Sequence, residues 1–237
     1  ITACEGTIVR IACGEHLNDM GVNTAADAGF YCGEIKCKKG RNVYMNCIHR
    51  TTGRYMQLFA ETDDLTIHYA GIISESYPVD KDACKFKCND SLHNKINKNA
   101  KNTLIMCMKE YYEDSPYNRM WMSSMNARIQ MLAGYYAFGE YDYAKESLYK
   151  MAESIRKDGM IEVSVPLKNE FTVPCFSFMW IIAVKEYVLF SGDIKAGMNL
   201  YNIAADIIRT FWLMTKGEDL IPNINNGIPS IGITPFL

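Results

Sequence analysis

The stretch EDSPYNRMWMSSMNARIQMLAGYYAF, residues 113–138, decides the fold. It opens on an acidic pair followed by Ser115 and Pro116, then carries Tyr117, Asn118, Arg119 and Trp121. From about Ser123 an apolar helical period begins, with Met125, Ile129, Leu132 and Tyr136 on one face. Gly139 is placed to stop it. A polar and aromatic patch just ahead of a buried helix reads as the mouth of a helical pocket.

The same period extends to both sides. Upstream, Leu92, Ile96, Ala100, Thr103, Leu104, Cys107 and Tyr111 form a stripe, with Asp90 or Ser91 as its N-cap. Downstream, a third helix runs from Tyr141 to Arg156 through Ala144, Leu148, Met151 and Ile155, closed by Asp158-Gly159. A fourth spans about Phe176 to Phe190 and ends at Ser191-Gly192-Asp193, and a fifth runs from about Ala196 to Thr215. Short connections predict antiparallel neighbours. The fourth helix is apolar on most sides, which predicts burial on all of them and an inner ring of helices covered by an outer one.

Residues 1–80 read differently. TIVRIAC (7–13), RNVYMNCI (41–48), GRYMQLFAE (53–61) and LTIHYAGII (65–73) are short, β-branched and aromatic runs set off by glycines. Gly21 to Gly33 is a weakly patterned connection. The expected class is α+β: an antiparallel β-sandwich over 1–80 and a helical domain over 81–237, divided near Pro78-Val79-Asp80. The first residues, ITACEGTIVR, lack an initiator Met and read as those of a fragment or a processed form, and IPNINNGIPSIGITPFL (221–237) reads as a loop or frayed tail.

Composition excludes several function classes. With 49% hydrophobic and 22% charged residues over 237 positions, the chain is a folded globular one. Its 25 basic and 27 acidic residues offer no electrostatic case for nucleic acid or an anionic membrane surface. No apolar run reaches ~18 residues, because Lys185 and Glu186 interrupt the longest. The nine cysteines show no repeated short spacing, so no zinc site is expected, and they read as free thiols of a reducing compartment such as the cytoplasm, with a few disulfides of a secreted protein as the alternative. His16, His49, His68 and His93 have no ligand spacing. No metal, phosphate-loop or dinucleotide motif is present, and no cofactor is expected.

The layout and several segments resemble the α-L-rhamnosidase family of glycoside hydrolases. RYMQLFAE (54–61) with YPVD (77–80) is similar to the last sandwich strands and the exit to the barrel. FKCNDSLHNKI (86–96) resembles the entry into the first barrel helix. Residues 113–161 carry the strongest likeness, and TVPCFSFMWIIAVKEYVLFSGD (172–193) continues it. The resemblance implies a six-hairpin, (α/α)6-barrel architecture, here incomplete. A complete barrel of helices of ~11–12 residues takes roughly twice the length left after the sandwich. The implied partners are carbohydrate and either a second copy or a completing polypeptide.

In the family, the strongest segment carries an Asp, a small residue and a Pro, then an acid five positions after that Asp and a Gly-Asp ending twelve after it. Asp114, Ser115 and Pro116 match, as do Arg128, Ile129 and Gln130. The acid position falls on Arg119, and Gly-Asp falls on Met125-Asn126. An inverting glycosidase needs a protonated acid and a base roughly 6.5–9.5 Å apart. A guanidinium cannot donate in that role, and an amide carries no charge. The resemblance therefore implies rhamnose-type binding with weak or absent hydrolysis. In this picture Asp114 and Glu113 are the catalytic candidates, and Trp121, Arg119, Asn126 and Trp180 are the substrate-binding ones. Each has a plainer alternative: a turn cap for Asp114, a surface ion pair for Arg119, core packing for Trp180. An active hydrolase whose acid has moved to Glu110, Glu113, Asp114 or Glu170 is one rival, and a non-catalytic interaction module is the other.

Overall fold

The computed structural model describes residues 1–19, 21–26, 29–46, 50–116, 119–167 and 172–215. The chain forms two compact units. One is Ile1–Glu75 with Ser115–Arg119; the other takes in Ser76–Asp114 and resumes at Met120. The change of unit thus falls a few residues before Pro78-Val79-Asp80.

The first unit is built of short antiparallel strands: β1 (Thr2–Ala3), β2 (Ile8–Gly14), β3 (His16–Asn18), β4 (Gly21–Asn23), β5 (Ala25–Ala26), β6 (Gly29–Phe30), β7 (Cys32–Lys36), β8 (Gly40–Arg41), β9 (Tyr55–Ala60) and β10 (Leu65–Thr66). Two three-stranded sheets have the orders β10-β1-β8 and β7-β2-β9, and β3-β4 and β5-β6 are hairpins. In the second sheet Val9 lies opposite Ile35 and Ala60. Ala3 of the first sheet, Val9 of the second and Cys37 form one buried cluster, with Ile1, Ile35, Ala60 and Leu65 packed on it. That is a small core, so ladder hydrogen bonds carry much of the order.

Three strand expectations need correction. Of 41–48 only Arg41 is in a strand; 42–46 are irregular, and 47–49, with Cys47 and His49, lie outside the described residues. Of 65–73 only Leu65 and Thr66 pair; Tyr69 is 82% and Ile73 79% exposed. β-propensity there finds no neighbouring strand to pack on. Conversely, the weakly patterned 21–33 connection holds four pairing segments, since hairpins rest on turn geometry more than on apolar runs.

Among its described residues the second unit carries five helices: α1 (Ser91–Met106), α2 (Ser124–Phe138), α3 (Asp142–Glu153), α4 (Pro174–Ser191) and α5 (Ile194–Thr215). Caps set their starts and stops. Asp90 Oδ1 accepts from the Leu92 N–H at 2.7 Å, Ser123 Oγ accepts from Asn126 N–H, and Gly139 ends α2 at φ +62°. α2 packs on α1 and α4, and α3 and α5 pack on α4 and on each other. The core centres on Trp180, which is fully buried and donates its indole N–H to the Leu148 carbonyl at 3.0 Å. Met122 and Met131 are buried in the same cluster, where flexible thioethers can fill irregular space.

The buried faces differ from the expected ones. On α2, Ile129 is 60% and Tyr136 68% exposed, and Met125 is exposed too. The residues turned inward are Ser124, Ala127, Met131, Gly134, Tyr135 and Phe138. α4 buries Ser177, Trp180, Ala183, Val184 and Tyr187 but leaves Leu189 exposed, so it is not covered on all sides. By length and composition α4 could cross a membrane; here its Trp180 face is core, and Glu186 holds Arg128 through two hydrogen bonds of 3.0 and 2.6 Å. On α1 the first half of the stripe, Leu92 and Ile96, is exposed, and burial is confined to Leu104 and Ile105. The segment 221–237 lies outside the described residues.

The turn between α4 and α5 ties three helices together. Gly192 takes φ +73°, and Asp193 then accepts from Lys145 Nζ of α3 at 2.7 Å, from the Ala196 N–H at 2.9 Å and from the Tyr187 hydroxyl at 3.1 Å. The Lys145 ammonium, followed by the Ala196 N–H, holds the Asp193 carboxyl down to about 2. A carboxyl depressed in the native state contributes stability that is complete above its ordinary range near ~4 and is lost as pH falls toward the native value. Asp193→Asn should therefore lower the urea midpoint at neutral pH and flatten its pH dependence between about 4 and 2; an unchanged acid limb would contradict this.

Candidate functional site

The segment from Cys107 to Met122 leads from α1 to α2, and its framework is backbone hydrogen bonding. The Glu113 N–H donates to the Cys107 carbonyl at 2.9 Å, and the Asp114 N–H donates to the Trp121 carbonyl at 3.2 Å. Tyr111 Oη donates to the Met120 carbonyl at 3.0 Å. Met122 exchanges two backbone hydrogen bonds with Val165 (3.0 and 2.8 Å), fixing the entry into α2.

On this framework Asp114 stands half-buried, and Asn126 Nδ2 donates to its Oδ1 at 2.7 Å. Asn126 reaches that oxygen from the first turn of α2, where the Ser123 cap holds its backbone. One turn on, Gln130 Nε2 donates to the Glu113 carbonyl at 2.6 Å. Another turn on, at Gly134, an added Cβ would stand 3.3 Å from the Tyr112 hydroxyl. Tyr112 is fully buried, edge-on to Tyr143 at 4.6 Å, and desolvation pushes its phenol pKa well up. Burial also pushes the Cys107 thiol up.

The residues singled out from sequence separate into groups. Asp114, Asn126 and Trp121 come together at the entry to α2, with Trp121 partly exposed. Glu113 is next to them in sequence, but its side chain has no solvent exposure. Trp180 is a core residue, because its indole is enclosed by the helices and bound to a backbone carbonyl. Arg119 is exposed and is carried by the other unit, where its carbonyl accepts from the Ser115 N–H at 3.3 Å. Tyr117, Asn118 and Glu170 lie outside the described residues.

Sequence reasoning gave no role to the Arg128–Glu186 pair or to Gln130 as a side-chain donor. Their signal was polar residues persisting on helices that are otherwise apolar. A groove of about 420 Å³ lies among Cys84, Phe86, Asn97, Lys101, Leu104 and Tyr136. A second concavity, of about 400 Å³, lies in the β unit around Cys4, Lys39 and Asp64. Neither contains Asp114, Asn126 or Trp121. The eight described cysteines are free thiols, and among the described residues no three His, Cys, Asp or Glu side chains are grouped as metal ligands.

Residues 81–222 match the family model described as the bacterial alpha-L-rhamnosidase 6 hairpin glycosidase domain. Among solved structures, the chain is similar to a GH78 family rhamnosidase of Bacillus sp. GL1, with a TM-score of 0.82 and 22% identity over 93% of this chain and 23% of that one. It is similar to a rhamnosidase from Klebsiella oxytoca with rhamnose bound, at a TM-score of 0.61 and 16% identity over 90% of this chain and 44% of that one. It is also similar to an alpha-L-rhamnosidase from Dictyoglumus thermophilum, at a TM-score of 0.59 and 14% identity over 91% of this chain and 25% of that one. At these identities the likeness is one of fold, and the chain spans less than half the length of each. No curated protein matches the chain.

The Asn126–Asp114 bond is charge-assisted and partly buried, so Asn126→Ala should cost about 1.5 kcal/mol of unfolding free energy. Urea unfolding measures this directly, and an unchanged midpoint would show that the two side chains are not bonded in solution.

Proposed function

The chain belongs to the bacterial α-L-rhamnosidase six-hairpin glycosidase family, and from that premise we propose that it is a rhamnosidase-like glycoside hydrolase unit that binds rhamnose-type carbohydrate with weak or no hydrolysis. Its helices would form part of an α/α barrel and its small sheets part of a β-sandwich. The observation that carries the reading is the bond between Asn126 and Asp114, which joins two positions of the motif. An amide here orients a carboxylate without adding a charge, which suits hydroxyl recognition. It has no proton to give a glycosidic oxygen and no negative charge to stabilise an oxocarbenium-like state.

Asp114 is the carboxylate of the acidic pair with solvent access, since Glu113 is buried. It would accept sugar hydroxyls, while the partly exposed Trp121 would offer a ring face to sugar C–H bonds. Arg119 stands where the resemblance puts an acid, and a guanidinium keeps its protons. A hydrolase with Asp114 as a displaced acid is the runner-up, supported by that residue's accessibility. An interaction module draws support from the exposed apolar residues Ile129, Tyr136, Leu189 and Trp212.

Titration with L-rhamnose, followed by tryptophan fluorescence, should give a saturable change at millimolar sugar. Asp114→Ala should weaken that binding about tenfold, the size of one lost charge-assisted hydrogen bond. An aryl α-L-rhamnoside should show no turnover above background. Turnover that disappears in Asp114→Asn would establish the displaced-acid hydrolase instead. A flat fluorescence trace would leave the interaction module.

A further inference from the structure

Three successive residues, Tyr112, Glu113 and Asp114, meet three α2 positions spaced four apart. Gly134 faces the Tyr112 hydroxyl, Gln130 the Glu113 carbonyl and Asn126 the Asp114 carboxylate. Positions four apart share one line along an α-helix, ~6 Å per step, whereas an extended chain advances ~3.3 Å per residue. The different contact atoms absorb that difference. The long Tyr112 side chain reaches one way, the Asp114 side chain the other, and the middle contact is made by the backbone itself. The chain is therefore laid along α2 as a strap, running opposite to it.

Each contact is chemically directed. Only the nitrogen of the Gln130 amide can face a carbonyl at 2.6 Å, since an oxygen there would repel it. Glycine in a helix interior is unfavourable against alanine, and at 134 an added Cβ would press on the Tyr112 hydroxyl at 3.3 Å. Above and below, the Glu113 N–H is held by the Cys107 carbonyl and the Asp114 N–H by the Trp121 carbonyl.

We propose that Gln130 is a positioning residue, which acts through the Glu113 carbonyl to set the Asp114 carboxylate on a rail formed by Asn126, Gln130 and Gly134. The functional consequence rests on Asp114 binding sugar, as proposed above; the rail itself does not.

Gln130→Met keeps the length of the side chain and removes the donor. Two readouts separate the rail from the carbohydrate reading: solvent exchange of the Asn126 side-chain amide protons by NMR, and L-rhamnose affinity by titration. In Gln130→Met the Asn126 protons should exchange at least fivefold faster and rhamnose should bind about fivefold more weakly. The thermal midpoint should fall by no more than about 4 °C, as expected for one hydrogen bond. Gly134→Ala, which favours the helix but crowds the Tyr112 hydroxyl, should raise Asn126 exchange in the same direction and serves if the methionine variant does not fold. Faster exchange in a protein that does not respond to rhamnose would support the rail and remove the carbohydrate reading. Unchanged Asn126 exchange in both variants, whatever the affinity does, would overturn the proposal.

Discussion

Close approach to α2 is the constraint on which the helical unit depends. Its buried face combines small residues with a few large ones: Ser124, Ala127 and Gly134 beside Met131, Tyr135 and Phe138. The small ones admit backbone and polar atoms where larger side chains would hold them off. Ser124 Oγ donates to the Phe176 carbonyl of α4 at 2.6 Å, and Gly134 accommodates the Tyr112 hydroxyl. Around these contacts Trp180 fills the space between helices, and the Arg128–Glu186 pair joins α2 to α4 at its half-buried edge. The Asp114 segment inherits its position from this packing, because its side chain and its neighbour's carbonyl are both held by α2.

How much of this was legible in the sequence depends on the kind of signal involved. Several helix ends were readable, because caps have a local chemistry: Asp90, Gly139 and Ser191-Gly192-Asp193 stand where the caps and turns are, whereas α3 stops at Glu153, ahead of the Asp158-Gly159 expected to close it. Buried faces were harder. On α2 nearly every side is apolar, so the period of large residues chose Met125, Ile129 and Tyr136, the side left exposed. The face that packs is marked by small residues, which carry little hydropathy. The isolated run 65–73 had strand propensity but pairs only at Leu65 and Thr66, since pairing needs a partner that local sequence does not reveal.

The candidate site divides in the same way. Asp114 and Asn126 were linked through the family resemblance, which aligns both with one motif, and they are hydrogen-bonded. What spacing could not convey is accessibility: Glu113 and Trp180 are buried, while Arg119 is exposed and belongs with the β unit. Nor could it reveal Gln130, whose role depends on the chain folding back along α2. Family membership supports the architecture over residues 81–222 and does not by itself assign chemistry to a segment whose motif positions carry Arg and Asn.

Chemical-shift mapping of the labelled chain during addition of L-rhamnose tests the central claim most directly. A sugar cleft at the entry to α2 predicts saturable shifts concentrated on the backbone of Asp114, the Trp121 indole N–H and the Asn126 side-chain amide. Shifts confined to the groove around Phe86 and Tyr136, or spread without saturation, would contradict it.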